Sequence, residues 1–222
     1  EAFLSLCGEE RTQKSLQQLK EFSRVSSMIL QEKDLERVCK MFVETIRDVS
    51  NFNRAILTLC DDEFRGYRWY FAGLSEEEIA TFHSNKLTSR ERVTIFQEQF
   101  RLGNSYYIPH GAGWYYEGVR SQKEADVMVD WHPDDFLFIP LFGTNRRIVG
   151  SVSVDDPADG RRPSAESISP LELFANQVAH AIEEKKLDQK VKKTTRRYRT
   201  LVETMNDGLF TVDLSGNMTF VN

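Results

Sequence analysis

Residues 136–157 read FLFIPLFGTNRRIVGSVSVDDP. Two apolar runs, Phe136–Phe142 and Ile148–Val154, flank Gly143-Thr144-Asn145. Short apolar runs bounded by turn residues read as buried strands, and this spacing makes them an antiparallel hairpin with a loose turn. Asp155-Asp156-Pro157 through Arg162-Pro163 reads as a polar loop, turn chemistry ahead of a helix. Ser169 is the expected cap of that helix, with Pro170 at its first position, where a missing N–H costs nothing. Leu171, Phe174, Val178 and Ile182 form its inward face.

Upstream of the hairpin, Leu16, Leu19, Phe22, Val25, Met28 and Ile29 recur at steps of three and four, predicting a helix over 12–30. Asp34 opens a second helix, with Leu35, Val38, Phe42, Val43 and Ile46 on one face. Residues 54–60 form a short apolar run, read as a buried strand, and the aromatic-rich 67–71 reads as another. Ser75 with Glu78 is a capping box that opens an interrupted helical zone to about residue 100. Residues 105–109 are a strand ended by proline. Residues 111–135 are irregular, long enough for a binding loop, and rich in aromatic residues.

Downstream, Leu187, Val191, Thr194, Tyr198, Leu201 and Met205 continue the last helix at heptad spacing, in a phase slipped from Leu171, Phe174, Val178 and Ala181. Residues 183–199 carry eight Lys/Arg against three Asp/Glu. Without interleaved aromatics or a bulky apolar face, that charge reads as a solvated helix surface. Asp207-Gly208 breaks the helix. Residues 209–213 and 218–222 then form a hairpin, too little to fold alone, as if a domain were cut just after it begins.

The 222-residue chain is 40% hydrophobic and 28% charged, a globular composition. No stretch is apolar and long enough to cross a bilayer. A net charge of -5 argues against nucleic-acid binding by bulk charge. Cys7, Cys39 and Cys60 make no disulfide framework and suit a reducing cytoplasm.

The segment Phe138-Ile139-Pro140-Leu141, the run Gly150 to Pro157, then Leu171-Glu172-Leu173-Phe174-Ala175-Asn176-Gln177 and Ala181-Ile182-Glu183 resemble the second half of GAF domains from prokaryotic signalling proteins. Trp131-His132-Pro133-Asp134-Asp135 resembles one sub-group of them. The tail (Tyr198-Arg199, Leu201-Val202-Glu203, Asp207-Gly208-Leu209, Asp213, Gly216-Asn217, Val221-Asn222) resembles the opening of a PAS domain. The resemblance implies an α+β fold: an antiparallel sheet of about six strands, helices on both faces, long N- and C-terminal signalling helices, and a ligand pocket. It divides the chain into an N-terminal linker (1–14), a GAF domain (15–187), a coiled-coil-like linker (188–205) and a truncated PAS start (206–222). The GAF-helix-PAS order is that of sensor histidine kinases and diguanylate cyclases.

No phosphate loop, zinc helix or nucleophile elbow is present, and Cys-x-x-Cys is absent. The surroundings of His180 do not resemble a kinase phospho-acceptor box. His110 and His132, with Asp134 and Asp135, could ligate a metal or haem, or simply hydrogen-bond a loop. Cys39 and Cys60 read as buried structural thiols; the alternative is the methionine sulfoxide reductase chemistry known on this fold. Neither a bilin-attachment motif nor the N-K-x-F-D-E pattern of cyclic-nucleotide-binding relatives is found. Asp155 and Asp156, read as an exposed turn, have no desolvation to shift a pKa.

The densest local signal is Tyr106, Tyr107, Trp114, Tyr115, Tyr116 and Trp131 within 26 residues. Large rings with polar tips line small-molecule pockets. The expected pocket comprises Trp69, Tyr107, Trp114, Trp131, Phe138 and Ser153, and the expected signalling positions are Leu187, Val191, Tyr198, Leu201 and Met205. No catalytic residue, cofactor or metal is assigned. The expectation is a cytoplasmic, non-enzymatic sensory module, a homodimer through its terminal helices that takes an unidentified small molecule. A ligand-free dimerisation relay, a haem or metal redox sensor and a reductase are the alternatives.

Overall fold

The chain enters as a long helix, α1 (Ala2–Gln31), turns at Asp34 and continues as α2 (Leu35–Val49). The Asp34 carboxylate caps α2, accepting the Arg37 N–H at 2.9 Å. Strands β1 (Phe52–Cys60) and β2 (Gly66–Ala72) follow. Two short helices come next, α3 (Glu76–Ser84) and α4 (Ser89–Ile95), each opened by a capping box, Ser75 with Glu78 and Thr88 with Glu91. Then come β3 (Arg101–Leu102), β4 (Ser105–Ile108), β5 (Phe136–Phe142), β6 (Ile148–Pro157), α5 (Ala165–Thr204), β7 (Phe210–Val212) and β8 (Met218–Val221). This computed structural model describes residues 2–114, 116, 118–121, 128–204, 210–215 and 217–221, with the backbone alone for 2–12, 212, 220 and 221. Met205, Tyr115 and the 206–209 helix break lie outside the described residues.

Two units divide the chain, Glu1–Glu183 and Glu184–Asn222. The first holds a six-stranded antiparallel sheet in the order β2-β1-β6-β5-β4-β3. The α+β fold with about six antiparallel strands is therefore as the resemblance implied. The hairpin expected over 136–154 is β5–β6, with Phe138 opposite Ser153 and Ile139 opposite Val152. In the second unit the last part of α5 is followed by the β7–β8 ribbon. Leu187, Val191, Tyr198 and Leu201 are exposed there.

Side chains alternate across a strand, so β1 and β6 each present two faces. One face, with Ala55, Leu57, Leu59, Val152 and Val154, packs under α1, α2 and α5 in a single core. Phe174 of α5 is its centre. Its ring stacks on Phe22 of α1 at 4.6 Å and tilts against Phe42 of α2 at 5.2 Å. The opposite face is covered in part by α3, α4 and the segment between β4 and β5, around a second cluster of Ile95, Phe100, Ile108 and Phe138.

Three carboxylate and amide contacts fasten α1 and α5 within this unit. Ser26 donates to the Gln177 side-chain oxygen at 2.7 Å. Glu172, buried, accepts the Asn104 N–H at 2.8 Å and the Ser105 hydroxyl at 2.6 Å, pinning the β3–β4 turn. Glu183 accepts the Thr144 N–H at 2.7 Å and its hydroxyl at 2.8 Å, pinning the β5–β6 turn. The Thr144 N–H, assisted by the hydroxyl, holds the Glu183 carboxyl below its ordinary pKa despite partial burial.

Three expectations need correction. Helix α5 starts at Ala165, not after Ser169. Ser164 and Ser167 exchange backbone-to-hydroxyl bonds at its start, and Pro170 lies inside the helix, leaving the Glu166 carbonyl without its i+4 donor. Residues 155–157 continue β6 rather than opening a loop. Helix α1 begins at Ala2, not at the expected residue 12.

The contrast between adjacent residues of α5 is testable. Phe174→Ala should cost about 3–5 kcal/mol in chemical denaturation, because Phe174 is fully buried. Leu173→Ala, at a half-exposed position, should stay within about 0.5 kcal/mol. Equal effects would contradict the assigned face.

Candidate ligand cleft

The face of the sheet turned away from α1, α2 and α5 is not fully filled. Thr58 and Ser151, Ile56 and Ser153, and Phe138 lie there in register across β1, β6 and β5. Above them opens a cleft walled by Leu74, Phe82 and Leu87 from the α3–α4 side and by Tyr116, Val119 and Phe136 from the other. Its empty volume is about 640 Å³, open solvent at the mouth included.

Three charged residues reach this space: Arg54, Arg92 and Asp155. Arg54 is buried on β1. Its Nη2 meets Glu78 Oε1 of α3 at 2.9 Å, and its Nη1 lies 3.4 Å from Asp155 and 3.7 Å from Asp156 at the end of β6. Nη1 also donates to the Arg120 carbonyl at 2.9 Å. A buried cation must be paired and hydrogen-bonded, and Arg54 meets that requirement with groups from three separate segments. Ser121 donates its hydroxyl to Asp156, and Asn53 donates its side-chain amide to the Asp156 carbonyl at 3.0 Å.

Burial and the neighbouring Asp156 push the Asp155 carboxyl up to about 7, against the pull of Arg54. Arg92 on α4 is also buried. Its Nη2 donates to the Leu87 carbonyl at a long 3.3 Å, and its Nε has no partner among the described residues. No described carboxylate lies within ion-pair distance of it.

The GAF domain profile matches residues 34–182. This chain belongs to the GAF family. The match spans the sheet, the cleft, α2 and the part of α5 up to Ile182, leaving all of α1 and the second unit outside it. Solved GAF domains share the fold. One, from a Pseudomonas syringae pv. tomato protein described as a sensor histidine kinase, superposes with a TM-score of 0.56 at 14% identity, covering 84% of this chain and 99% of that one. A GAF domain from an Acinetobacter phosphoenolpyruvate-protein phosphotransferase gives 0.53 at 16% identity, covering 78% and 97%. A GAF domain/HD domain protein from Geobacter sulfurreducens gives 0.51 at 13%, covering 70% and 95%. Among curated proteins, nothing matches.

Of the six residues expected in the pocket of this GAF domain, Phe138 and Ser153 line the cleft. Trp69 lies on the same sheet face, opposite Thr58 of β1, but packs edge-on against Phe82 with Lys86 over its ring. Trp114 packs edge-on against Phe136 and Phe138 and donates to Thr94 at 2.9 Å. These two stiffen the surroundings and do not line the space. Tyr107 and Trp131 belong to the helix-side core, 5.8 Å apart. Strand alternation is the reason: Tyr106, not Tyr107, pairs with Phe138.

The His110–His132 pair serves the loop. Asp135, buried, accepts the Tyr107 hydroxyl at 2.5 Å and the backbone N–H groups of His110 and His132 at 2.7 and 2.8 Å. Burial works against its ionisation, but these donors hold its carboxyl below the ordinary value. The two imidazoles stack at 3.9 Å. Among the described residues no group of three or more His, Cys, Asp or Glu could hold a metal. Cys39 and Cys60 are buried thiols, and His180 sits exposed on α5.

Sequence reading missed Arg54, Arg92 and the second role of Glu78. Glu78 was legible as a capping-box residue, and it does accept the Ser75 N–H at 2.7 Å, while its other oxygen binds Arg54. The available signal was Arg54 opening an apolar strand on the same parity as Ile56 and Thr58. Asp155 was read as exposed turn chemistry with no shift. The strand runs three residues longer, to Pro157, and carries Asp155 to the cleft, where burial raises its pKa.

A carboxyl raised in the fold binds more protons folded than unfolded. Its ionisation therefore costs stability as pH climbs from about 4 to about 7 and costs no more above that. Asp155→Asn should flatten the melting temperature across that window, so the variant gains on the parent as pH rises. Parallel pH profiles would show that Asp155 is not raised.

Proposed function

We propose that this GAF domain is the sensory module of a signalling protein, and that a small molecule held in the cleft is its input. The observation that carries the reading is the cleft itself: a space on the sheet face opposite the core helices, with apolar side chains on both of its walls and charged groups at fixed points. A ligand that fits one arrangement of its walls better than another shifts the population of the two. The readout assigned here is α5. Its Glu183 binds the turn between β5 and β6, two of the strands that floor the cleft, its Glu172 binds the adjoining β3–β4 turn, and the helix continues to Thr204.

The tail resembling a PAS opening, and an output domain of histidine kinase or diguanylate cyclase type beyond it, would receive the signal in the cytoplasm. Exposed Leu187, Val191, Tyr198 and Leu201, at heptad spacing, support pairing of two copies along this helix; Leu16 and Met28 on α1 are exposed in the same way. Among the described residues no helix is long and apolar enough to cross a membrane.

A thermal-shift screen of the protein against metabolites, nucleotides and metals, with an absorption spectrum of the untreated sample, tests the reading. A ligand at 100 times its Kd adds about 2.7 kcal/mol, and at least one compound should raise the melting temperature visibly. A colourless protein that no compound stabilises would contradict ligand sensing and leave a dimerisation relay.

A further inference from the structure

Arg92 is the one charged group in the cleft whose burial the rest of the described structure does not explain. Arg54, whose Nε likewise has no partner among the described residues, is answered at its two Nη atoms by Glu78, Asp155, Asp156 and a carbonyl. Arg92, 3% exposed, has a single long bond to a backbone carbonyl and an Nε with no partner among the described residues. Taking a guanidinium out of water without a counter-charge is costly. The fold nonetheless makes room for it. A side chain at Gly66 would meet Arg92 Nη2 at 2.9 Å, so the bare backbone of β2 leaves room for the guanidinium there.

A second polar group in the same wall is in the same condition. The Tyr116 hydroxyl is buried, lines the cleft and has no partner among the described residues. Burial pushes its phenol up to about 12, so it keeps its proton and offers a donor. Arg92 and Tyr116 both line a space whose other walls include Phe82, Phe136 and Phe138.

We propose that the cleft binds a small organic carboxylate with an aryl or branched-alkyl body, its carboxylate on Arg92 and Tyr116 and its body against the phenylalanine walls. This rests on the small-molecule reading given above and names the ligand class for it. The planar guanidinium fork matches a carboxylate. Charge at the far side limits the ligand to a monoanion. Glu78, Asp155 and Asp156 surround Arg54 with more negative than positive charge, so a phosphate dianion would meet repulsion there. Until a ligand arrives the site is a stability defect, which is the usual signature of a residue kept for binding.

The test uses matched pairs differing only in charge: benzoate with benzamide, phenylacetate with phenylacetamide, isocaproate with isocaproamide. Binding to the wild-type chain is read by thermal shift and titration calorimetry at pH 7, then to Arg92→Met and Arg92→Lys. At least one carboxylate should bind about tenfold or more tightly than its amide, and that preference should fall to near unity in Arg92→Met. Arg92→Met should also melt about 2–4 °C higher than wild type without ligand, because an unanswered buried charge is gone. Arg92→Lys should keep part of the preference.

If amides bind as well as carboxylates, or the preference survives Arg92→Met, the anion assignment is overturned while the small-molecule reading stands. If no carboxylate in the series stabilises the wild-type chain, the proposal is wrong whatever the variants do, and the broad screen decides separately whether the cleft takes another ligand. A lower melting point for Arg92→Met would make Arg92 a structural strut and overturn the proposal too.

Discussion

The arrangement of the cleft face depends on one buried guanidinium. Arg54 projects from β1, next to the edge strand β2, and is buried, so its charge and donors must be met by protein. The partners come from α3, from the 118–121 segment and from the end of β6. None of these segments is held to the sheet by a long apolar face of its own. Helix α3 buries only Phe82 fully. Meeting the demand of Arg54 is what places them, and their placement leaves the space below them open.

The other face of the sheet obeys a simpler rule. Alternate residues of β1, β6 and β5 bury apolar side chains under α1, α2 and α5, and the aromatic contacts of Phe174 join the two long helices to α2. Because one strand carries both faces, a change in the cleft and a change in the helix packing are made on the same backbone. Glu172 and Glu183 strengthen that connection. Glu183 reaches from α5 to the turn between β5 and β6, which floor the cleft, and Glu172 to the adjoining β3–β4 turn, so strand movement has a hydrogen-bonded route to the helix as well as a packed one.

Most of the first unit was legible in the sequence because its signals are local. Apolar periodicity placed α2, β1, β5 and the inward face of α5, and Ser75 with Glu78 announced α3. Phe138 and Ser153 were identifiable as cleft residues because they pair across the most recognisable hairpin. The failures share a cause. Tyr107 against Tyr106 is a question of strand parity in a four-residue strand, too short for alternation to speak. Trp131 lies in an irregular segment whose path is set by Asp135, a tertiary contact. Pro170 suggested a helix start, yet Ser164 and Ser167 supplied a better cap five residues earlier. The roles of Arg54, Arg92 and Asp155 arise only when distant segments meet, and nothing within a few residues of each signals it.

Hydrogen exchange of the Arg54→Met variant against the wild-type chain tests most directly the claim that Arg54 organises this face. The account predicts that amides of α3 and of residues 118–121 lose protection, while those of α2, β5 and the 171–182 portion of α5 keep theirs. Unchanged protection in α3 and 118–121, or a loss spread evenly over the whole domain, would contradict it.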